Sequence, residues 1–360
     1  MNNAKNVAVA MSGGVDSSIS AVLLKEMGYR VTGIFMKNWE EDDDDRNCNV
    51  ADDYKDAKRV ANKLGIDLLT VNFSDKYWHL VFQKFIDGLR SGITPNPDIF
   101  CNKEIKFNYF YHHVLSLGYD QLATGHYAKV ENKDDTYKLK IASDQTKDQT
   151  YFLYMLQQHV LKNIIFPLEN ITKVEVKKLA KEFDLKISEK KESMGICFIG
   201  KKNFTKFIKK YLRIQPGNIV SENGTMIGKH EGLFNYTIGQ RKGLGIGGIS
   251  DTNNDPWFVI SKDVSNNNLV VTQNEANLFY KGRVLLSSTS WVHDAPSSNE
   301  MYKARFRHGG NLIPVMIEEK KKRHYLILQD HERAITIGQS AVIYHNDECL
   351  GGGIIEQLFE

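Results

Sequence analysis

The stretch that decides the fold is VAVAMSGGVDSS, residues 7–18. Residues 7–10 form a short apolar run, and residues 12–16 form a glycine-containing turn. The apolar residues that follow recur on one helical face, which stops at Gly28. These residues are Val15, Ile19, Val22, Leu23 and Met27. The stretch therefore predicts a strand, a loop and a helix in succession.

The same alternation continues along the first half of the chain. Strands are predicted at residues 31–36 and 68–71 and from residue 121, and helices at residues 51–64 and 77–89. A further helix carries Phe107 and ends at Gly118, with Asn102 placed to cap it. A capping box, Thr172-x-x-Glu175, begins a helix that runs to about residue 183. Such alternation favours an α/β fold with a parallel sheet and helices on both faces.

After residue 200 the pattern changes. Residues 204–212 resemble a basic helix, and residues 218–272 hold short strand-like stretches around a glycine-rich run at 239–248. From residue 281 strand-like runs recur without helical periodicity, which favours a small β-barrel or sandwich. We therefore predict three domains, at residues 1–202, 203–278 and 279–360.

The composition is that of an ordinary globular protein. The 360 residues are 41% hydrophobic and 25% charged, enough for two or three domains. The longest apolar run has six residues, at 151–156, far short of the roughly 20 that a spanning helix needs. Residues 1–10 lack the features of a secretory signal. The four cysteines have no C-x-x-C spacing, so neither a metal site nor a disulfide scaffold is predicted. We expect a cytoplasmic protein without membrane contact.

Positive charge is concentrated in one segment. The net charge is +3, but residues 171–213 hold 12 Lys and one Arg against five acidic residues. A basic segment of this kind favours a polyanionic partner, and a solvated lysine-rich face is the plainer alternative.

The turn after the first predicted strand carries a phosphate-binding pattern. In SGGVDSS, residues 12–18, two glycines allow close backbone approach, serines add hydroxyl donors, and N–H groups converge at a helix N-terminus. The nucleoside-triphosphate P-loop and the G-x-G-x-x-G pattern do not occur in the chain. The turn resembles the pyrophosphate loop of the ATP pyrophosphatases. A serine-capped tight turn is the plainer interpretation.

Two cysteines, Cys101 and Cys197, lie in segments that make them candidate reactive residues. TPNPDIFCN, residues 94–102, leads into a helix, where Cys101 with Lys103 and Lys106 nearby would have its reactive thiolate form favoured. Asp98 on the same loop is a candidate general acid or base. Cys197 lies in ESMGICFIG, residues 192–200. A buried apolar cysteine and a turn-forming aspartate are the alternatives.

Six further segments complete an ordered set of motifs. They are FMKNW (35–39), TPNPDIFCN (94–102), ATGHYA (123–128), KDQTYFL (147–153), GICFIG (195–200) and YTIGQRKGLG (236–245), with GGGI (351–354) near the end. Together with the phosphate loop, this order resembles the tRNA-specific 2-thiouridylases, the MnmA/TrmU family. The resemblance implies a PP-loop ATP pyrophosphatase domain of the adenine nucleotide α-hydrolase type, a small linking domain and a C-terminal β-barrel.

The resemblance also implies a reaction, the ATP-dependent 2-thiolation of the wobble uridine, U34, of tRNA. Uridine O2 would attack the α-phosphate of ATP, accompanied by Mg²⁺, and pyrophosphate would leave. Cys197 would carry a persulfide from a sulfur-relay protein, Cys101 would be the nucleophile that frees its sulfur and can form a disulfide with Cys197, and Asp98 would assist proton transfer. The products would be 2-thiouridine, AMP and pyrophosphate. The residues implied to bind ATP are Ala10, Met11, Ser12, Gly13, Gly14, Val15, Asp16, Ser17, Met36 and Gly125.

The tRNA contacts implied by the resemblance involve two sets of residues. The target base would meet Asn96, Pro97 and Asp98. The remaining tRNA would meet His126, Lys147, Asp148, Gln149, Arg305, Phe306 and Gln339. The chain departs from the family pattern at residues 305–308, RFRH, and 336–339, TIGQ. A different adenylating enzyme with the same loop, such as an amidotransferase-type or 4-thiouridine synthetase, and a non-enzymatic RNA-binding protein are the alternatives.

Overall fold

The computed structural model describes residues 5–40, 49–190, 204–246, 255–298 and 300–359. The first part is an α/β domain. In chain order, its strands are β1 (Asn6–Met11), β2 (Arg30–Lys37), β3 (Leu68–Asn72), β4 (Gln121–Ala123), β5 (Lys129–Lys133), β6 (Thr136–Lys140) and β7 (Ile164–Ile165). Its α-helices are α1 (Val15–Glu26), α2 (Asn49–Leu64), α3 (Ser74–Tyr77), α4 (Gln83–Arg90), α5 (Pro97–Phe100), α6 (Tyr111–Ser116), α7 (Gln158–Leu161) and α8 (Lys173–Glu182).

Five of these strands form a parallel sheet in the order β3-β2-β1-β4-β7. Successive residues of β1 face opposite layers. Val7 and Val9 pack with α1, α2 and α8, whereas Ala8 packs in the cluster that contains Phe110 and, from α6, Val114. The predicted parallel sheet with helices on both faces is thus confirmed. The strand order changes direction between β1 and β4, which is where open α/β sheets bind ligands, outside the carboxyl ends of the strands.

The helix that follows the proline-rich loop begins earlier than predicted. Asn96, not Asn102, is its cap, because the Asn96 side chain accepts hydrogen bonds from the N–H groups of Asp98 and Ile99 at 3.1 and 3.4 Å. Pro97 occupies the first helical position, where its missing N–H costs nothing. A π-helical segment, Cys101–Phe110, joins α5 to α6, and another, Trp78–Phe82, joins α3 to α4. The predicted helix around Phe107 is therefore one continuous helical rod from Pro97.

The middle part is a small β domain. It contains α9 (Phe204–Ile208), shorter than the helix predicted over residues 204–212. Its strands are β8 (Gly217–Ser221), β9 (Met226–His230), β10 (Phe258–Asp263) and β11 (Asn268–Thr272). They form a sheet in the order β10-β11-β8-β9, in which β11 and β8 run parallel. The predicted strand-like stretches at 218–272 are confirmed.

The last part is a closed barrel rather than a sandwich. The strands of this part are β12 (Phe279–Tyr280), β13 (Arg283–Trp291), β14 (Met301–Arg305), β15 (Ile313–Lys320), β16 (Arg323–Leu328), β17 (Glu332–Arg333), β18 (Ser340–His345) and β19 (Glu348–Phe359). Strands β12 and β17 form a separate two-stranded sheet. The order β13-β16-β15-β14-β18-β19 closes because β19 also pairs with β13. The hairpin of β5 and β6, from the α/β domain, adds to the edge of β19 through Leu139 and Cys349. The sheet thus connects the first domain to the barrel.

Candidate active site

The loop after β1 is a tight turn held by the hydroxyl groups of its own serines. The hydroxyl of Ser17 accepts a hydrogen bond from the N–H of Ser12 at 3.2 Å and donates to the carbonyl of Gly14 at 3.1 Å. The Ser18 hydroxyl donates to the same carbonyl at 2.8 Å. Gly13 has φ +73°, and a Cβ there would lie 2.2 Å from the carbonyl oxygen of Asp53. Only glycine therefore lets the loop fold this tightly against α2.

Asp16 is held by two residues that come from far along the chain. The Nζ of Lys173 donates to both carboxylate oxygens, at 2.6 and 2.7 Å, and the Tyr127 hydroxyl donates to one of them at 3.0 Å. The side chain of Lys173 is 8% exposed and that of Asp16 is 32% exposed. The lysine thus offsets the one negative charge of the loop.

A second lysine closes the other side of the loop. Lys190 donates to the carbonyl of Gly13 at 3.2 Å and to Asp53 and Asp56, each at 2.7 Å. Burial lowers the pKa of Lys190, but its hydrogen bonds to the two carboxylates outweigh burial and raise the pKa above its usual value. Lys190 is therefore a fixed cation beside the loop.

Gly125 lies directly against the start of α1. A Cβ on Gly125 would sit 2.7 Å from the backbone nitrogen of Ser17. The loop follows β1 and Gly125 follows β4, so both lie where the strand order changes direction. Among the other residues predicted to bind ATP, Met11 and Val15 are buried, and Ala10 and Met36 are half-buried. The structure thus brings the phosphate loop and Gly125 together.

The proline-rich loop is fixed from several sides. Pro95 packs against Gly88 of α4, where a Cβ would lie 2.4 Å from Pro95 Cγ. Pro97 is buried, and Asp98 is half-buried in the first turn of α5. Gln339 of the barrel donates to the carbonyl of Thr94 at 2.7 Å. The candidate base-contacting residues therefore stand on a rigid support.

Cys101 was predicted to lie at a helix N-terminus, but it lies inside a helix. It is the first residue of the π-helical segment, the fifth residue after the cap Asn96, so the helix dipole favours its thiolate less than expected. The side chain is 1% exposed and belongs to an aromatic cluster with Trp39, Tyr77 and Phe82. Cys197 lies outside the described residues.

His126, Lys147 and Gln149 stay on or near the surface. His126 is half-buried, and its Nδ1 lies 2.7 Å from the Thr124 hydroxyl. Burial and the nearby Lys106 hold the pKa of His126 well below its usual range, so the ring is neutral at pH 7. Gln149 exchanges hydrogen bonds with the backbone of Tyr127, its Oε1 accepting at 3.0 Å.

The side chains of Asp148, Arg305 and Phe306 are largely buried within the protein. Arg305 donates to Asp148 at 2.6 Å, with side chains 13% and 2% exposed. Asp148 also accepts from the N–H and hydroxyl of Thr150, at 2.9 and 2.7 Å. Phe306 is 3% exposed and packs in the barrel core. Arg305 and Asp148 connect the barrel to the first domain, and Phe306 fills the barrel core. In this conformation the three side chains expose little surface to RNA.

Sequence reasoning missed Lys173, Lys190 and Tyr127. The capping box marked the start of α8, and the structure confirms it, but nothing in the pattern connects Lys173 with Asp16, 157 positions away. The basic segment 171–213 therefore mixes two kinds of lysine. Lys173 and Lys190 serve the phosphate loop, whereas Lys177 and Lys181 are exposed.

A parallel sheet with a serine- and glycine-rich loop at its crevice, followed by two β domains, defines a nucleotide-binding enzyme of the HUP class. Three family profiles match the chain: "tRNA methyl transferase HUP domain" over residues 5–201, "tRNA methyl transferase PRC-barrel domain" over 205–273 and "Aminomethyltransferase beta-barrel domain" over 279–355.

Curated relatives match over nearly the full length. The tRNA-specific 2-thiouridylase MnmA of Vesicomyosocius okutanii is 46% identical, over 99% of this chain and 99% of the relative. Those of Bacillus pumilus and Serratia proteamaculans are also 46% identical, over 98% and 100% of this chain and 95% and 99% of the relatives. The chain belongs to the MnmA family of tRNA-specific 2-thiouridylases. In the described part of the chain, no helix is both long and apolar enough to cross a membrane.

Proposed function

We propose that this protein thiolates the wobble uridine of tRNA, using ATP to activate C2 of the base. The observation that carries the proposal is the phosphate loop, residues 12–17, beside Gly125 in the crevice of the parallel sheet. A nest of N–H groups at a helix N-terminus favours phosphate oxygens. The sequence similarity to the thiouridylases supplies the substrate.

In the first step, uridine O2 attacks the α-phosphorus of ATP and the bond to pyrophosphate breaks. The loop residues Ser12–Ser17 bind the β- and γ-phosphates, and Lys190, itself paired with Asp53 and Asp56, holds the carbonyl of Gly13 in the loop. A urea-like carbonyl is a poor site for substitution, and adenylation converts its oxygen into part of a good leaving group, AMP. The N–H and hydroxyl groups of the loop, which bond one another in this structure, would turn to the phosphates and stabilise the developing negative charge on pyrophosphate.

In the second step, the terminal sulfur of a persulfide on Cys197 attacks C2 and AMP leaves. Cys101 then attacks the inner sulfur, so that the S–S bond breaks, 2-thiouridine is released and a Cys101–Cys197 disulfide forms. A thiol reductant must reduce this disulfide before the next cycle, and a sulfur-relay protein must reload Cys197. Asp98, in the first turn of α5, assists proton transfer. These requirements fit the reducing cytoplasm, where we place the reaction.

In tRNA recognition, some of these residues contact the RNA and others hold the contacting residues in place. Asn96, Pro97 and Asp98 contact the extruded base, and His126, Lys147 and Gln149 contact its surroundings. Asp148, Arg305, Phe306 and Gln339 act by position, because their side chains are buried or engaged between domains.

Mg²⁺ is expected to accompany ATP. Mg²⁺ is usually bound by one or two carboxylates together with substrate phosphates. Asp16 is the carboxylate of the phosphate loop, but both of its oxygens accept hydrogen bonds from Lys173, so in this arrangement the loop does not fit such a role.

Mass spectrometry of nucleosides tests the proposal. Purified protein is incubated with ATP, Mg²⁺, a persulfide donor and unmodified tRNA that carries U34, and we expect 2-thiouridine together with stoichiometric AMP. Pyrophosphate release without 2-thiouridine would indicate a different adenylating enzyme. Binding of tRNA without pyrophosphate release would indicate an RNA-binding protein.

A further inference from the structure

Lys262, near the end of β10, is a half-buried lysine at the contact between the middle domain and the first domain. Its Nζ lies 3.5 Å from the hydroxyl oxygen of Thr94. Two residues further, Val264 lies against Gly92, where a Cβ would sit 2.3 Å from Val264 Cγ2. Burial lowers the pKa of Lys262 to about 8. The middle domain thus places the amino group of Lys262 beside the loop that carries Asn96.

Within the described residues, Lys262 forms no ion pair. Asp263, its neighbour in β10, accepts hydrogen bonds from the backbone and side chain of Asn266 at 3.1 and 2.7 Å. By contrast, three other lysines with little exposed surface each bind carboxylates. These pairs are Lys173 with Asp16, Lys190 with Asp53 and Asp56, and Lys140 with Glu131 and Asp347.

Thr94 itself is fixed by the barrel, so the position of the lysine relative to the loop is defined. The N–H of Thr94 donates to the carbonyl of Ile337 at 3.1 Å, and Gln339 donates to the carbonyl of Thr94 at 2.7 Å. The backbone groups of Thr94 are thus used, and its hydroxyl faces Lys262. None of these contacts between Thr94, Lys262 and the barrel brings a carboxylate to the partly desolvated ammonium of Lys262. Such an arrangement is unfavourable alone and becomes favourable when a ligand supplies negative charge.

We propose that Lys262 binds a backbone phosphate of the RNA strand that delivers the target nucleotide to the loop of residues 94–98. This inference rests on the proposed function, which brings a tRNA strand to that loop. A phosphate is the anion that every position of such a strand carries, and an ammonium binds it as a point charge. ATP is not the partner, because its phosphates have the loop of residues 12–17, with Lys190 beside it.

The experiment measures tRNA binding for wild type, Lys262→Met and Lys262→Arg across salt concentration and pH. Lys229→Met is the matched control, since Lys229 is an exposed lysine of the same domain. For Lys262→Met we expect Kd to rise about tenfold and the slope of log affinity against log salt to fall by about one. The KM for ATP should stay unchanged. Lys229→Met should change Kd less than about twofold.

The pH arm separates a phosphate contact from a structural role. In the wild type, tRNA affinity should fall as the pH rises through and beyond about 8, because the ammonium loses its proton. Lys262→Arg should keep its charge and its affinity there. Weaker binding by Lys262→Met with an unchanged salt slope would show a structural role and overturn the inference, as would an unchanged Kd.

The proposed function is judged separately, by 2-thiouridine formation in the same wild-type preparation. Wild type that binds tRNA but makes no 2-thiouridine contradicts the proposed function and leaves the Lys262 comparison intact. Wild type that makes 2-thiouridine while Lys262→Met binds tRNA normally contradicts only the inference. Wild type without any tRNA binding contradicts both.

Discussion

Lys173 and Asp16 stand 157 positions apart in the chain, yet their contact sets the charge of the phosphate loop. Asp16 is only partly exposed and Lys173 is nearly buried, so each side chain depends on the other. Removing one partner of such a pair leaves a charge without compensation, which costs more than the pair contributes. Substitutions at Asp16 therefore affect both catalysis and stability.

We predict that Asp16→Ala abolishes tRNA-dependent pyrophosphate release and leaves the Kd for tRNA within about twofold. Asp16→Asn keeps an acceptor for the Tyr127 hydroxyl and should unfold at higher urea than Asp16→Ala, while losing most turnover. Pyrophosphate assays and urea titrations of both variants measure the two effects. Normal pyrophosphate release by Asp16→Ala would contradict the assignment of the loop.

The cysteines offer a second comparison of single residues. Cys101 and Cys349 are each 1% exposed, but Cys349 lies in β19, and burial raises the pKa of its thiol far above the usual value. We predict that Cys101→Ala stops 2-thiouridine formation and keeps pyrophosphate release, because adenylation uses the phosphate loop. Cys349→Ala should keep both activities per folded molecule, at a stability cost of about 1 kcal/mol for the lost sulfur contacts. Normal thiolation by Cys101→Ala, measured by nucleoside mass spectrometry, would remove Cys101 from the mechanism.

At the scale of elements, Asp144 fastens the start of α8 to the turn before residue 148. It accepts hydrogen bonds from the N–H of Lys173 at 2.8 Å and from the N–H and hydroxyl of Thr146 at 3.1 and 2.6 Å. Burial raises the pKa of Asp144, but these hydrogen bonds outweigh burial and lower the pKa below its usual value. The carboxylate therefore positions Lys173 for Asp16.

We predict that the stabilising effect of Asp144 disappears in acid. A group whose folded pKa is lowered contributes its stability above the unfolded pKa of about 3.9 and loses it as the pH falls through the folded value. The difference in unfolding free energy between wild type and Asp144→Asn should thus narrow as the pH falls below about 3.9. Urea titrations measure it, with the exposed Asp67→Asn as control. A constant difference would show that the ionised form is not the stabilising one.

Local patterns predict elements well and distant contacts poorly. The alternation of apolar and polar residues predicted the parallel sheet and α8 because those signals are local. The sequence pattern placed the helix cap at Asn102, whereas the structure has it at Asn96. Both asparagines suit a cap, and only Pro97, at the first helical position, distinguishes them. The pairing of β6 with β19 joins residues about 210 positions apart, as in Lys138 with Glu348, and no periodicity reports it.

At the scale of the whole molecule, the three domains meet at the loop before α5. The barrel holds Thr94 through Ile337 and Gln339, and the middle domain reaches it with Lys262. Gly338 has φ +90°, and a Cβ there would lie 3.0 Å from the nitrogen of Thr94. The candidate base-contacting loop is therefore shaped by all three domains, so a change far from the phosphate loop can alter tRNA recognition.

The buried ion pair between Arg305 and Asp148 connects the barrel to the first domain, beside the candidate RNA-contacting Lys147 and Gln149. We predict that Arg305→Met lowers the free energy of unfolding by about 3–5 kcal/mol, because it leaves the Asp148 carboxylate buried without its cation. Adding Asp148→Asn should recover part of this loss, and both variants should bind tRNA more weakly because Lys147 and Gln149 lose their support. Arg323→Met is the matched control: its pair with Glu356 is exposed, at 48% and 41%, and its loss should cost about 0–1 kcal/mol. Urea titrations and tRNA binding measure these effects. Equal costs for Arg305→Met and Arg323→Met would mean that burial of the pair does not hold the domains together.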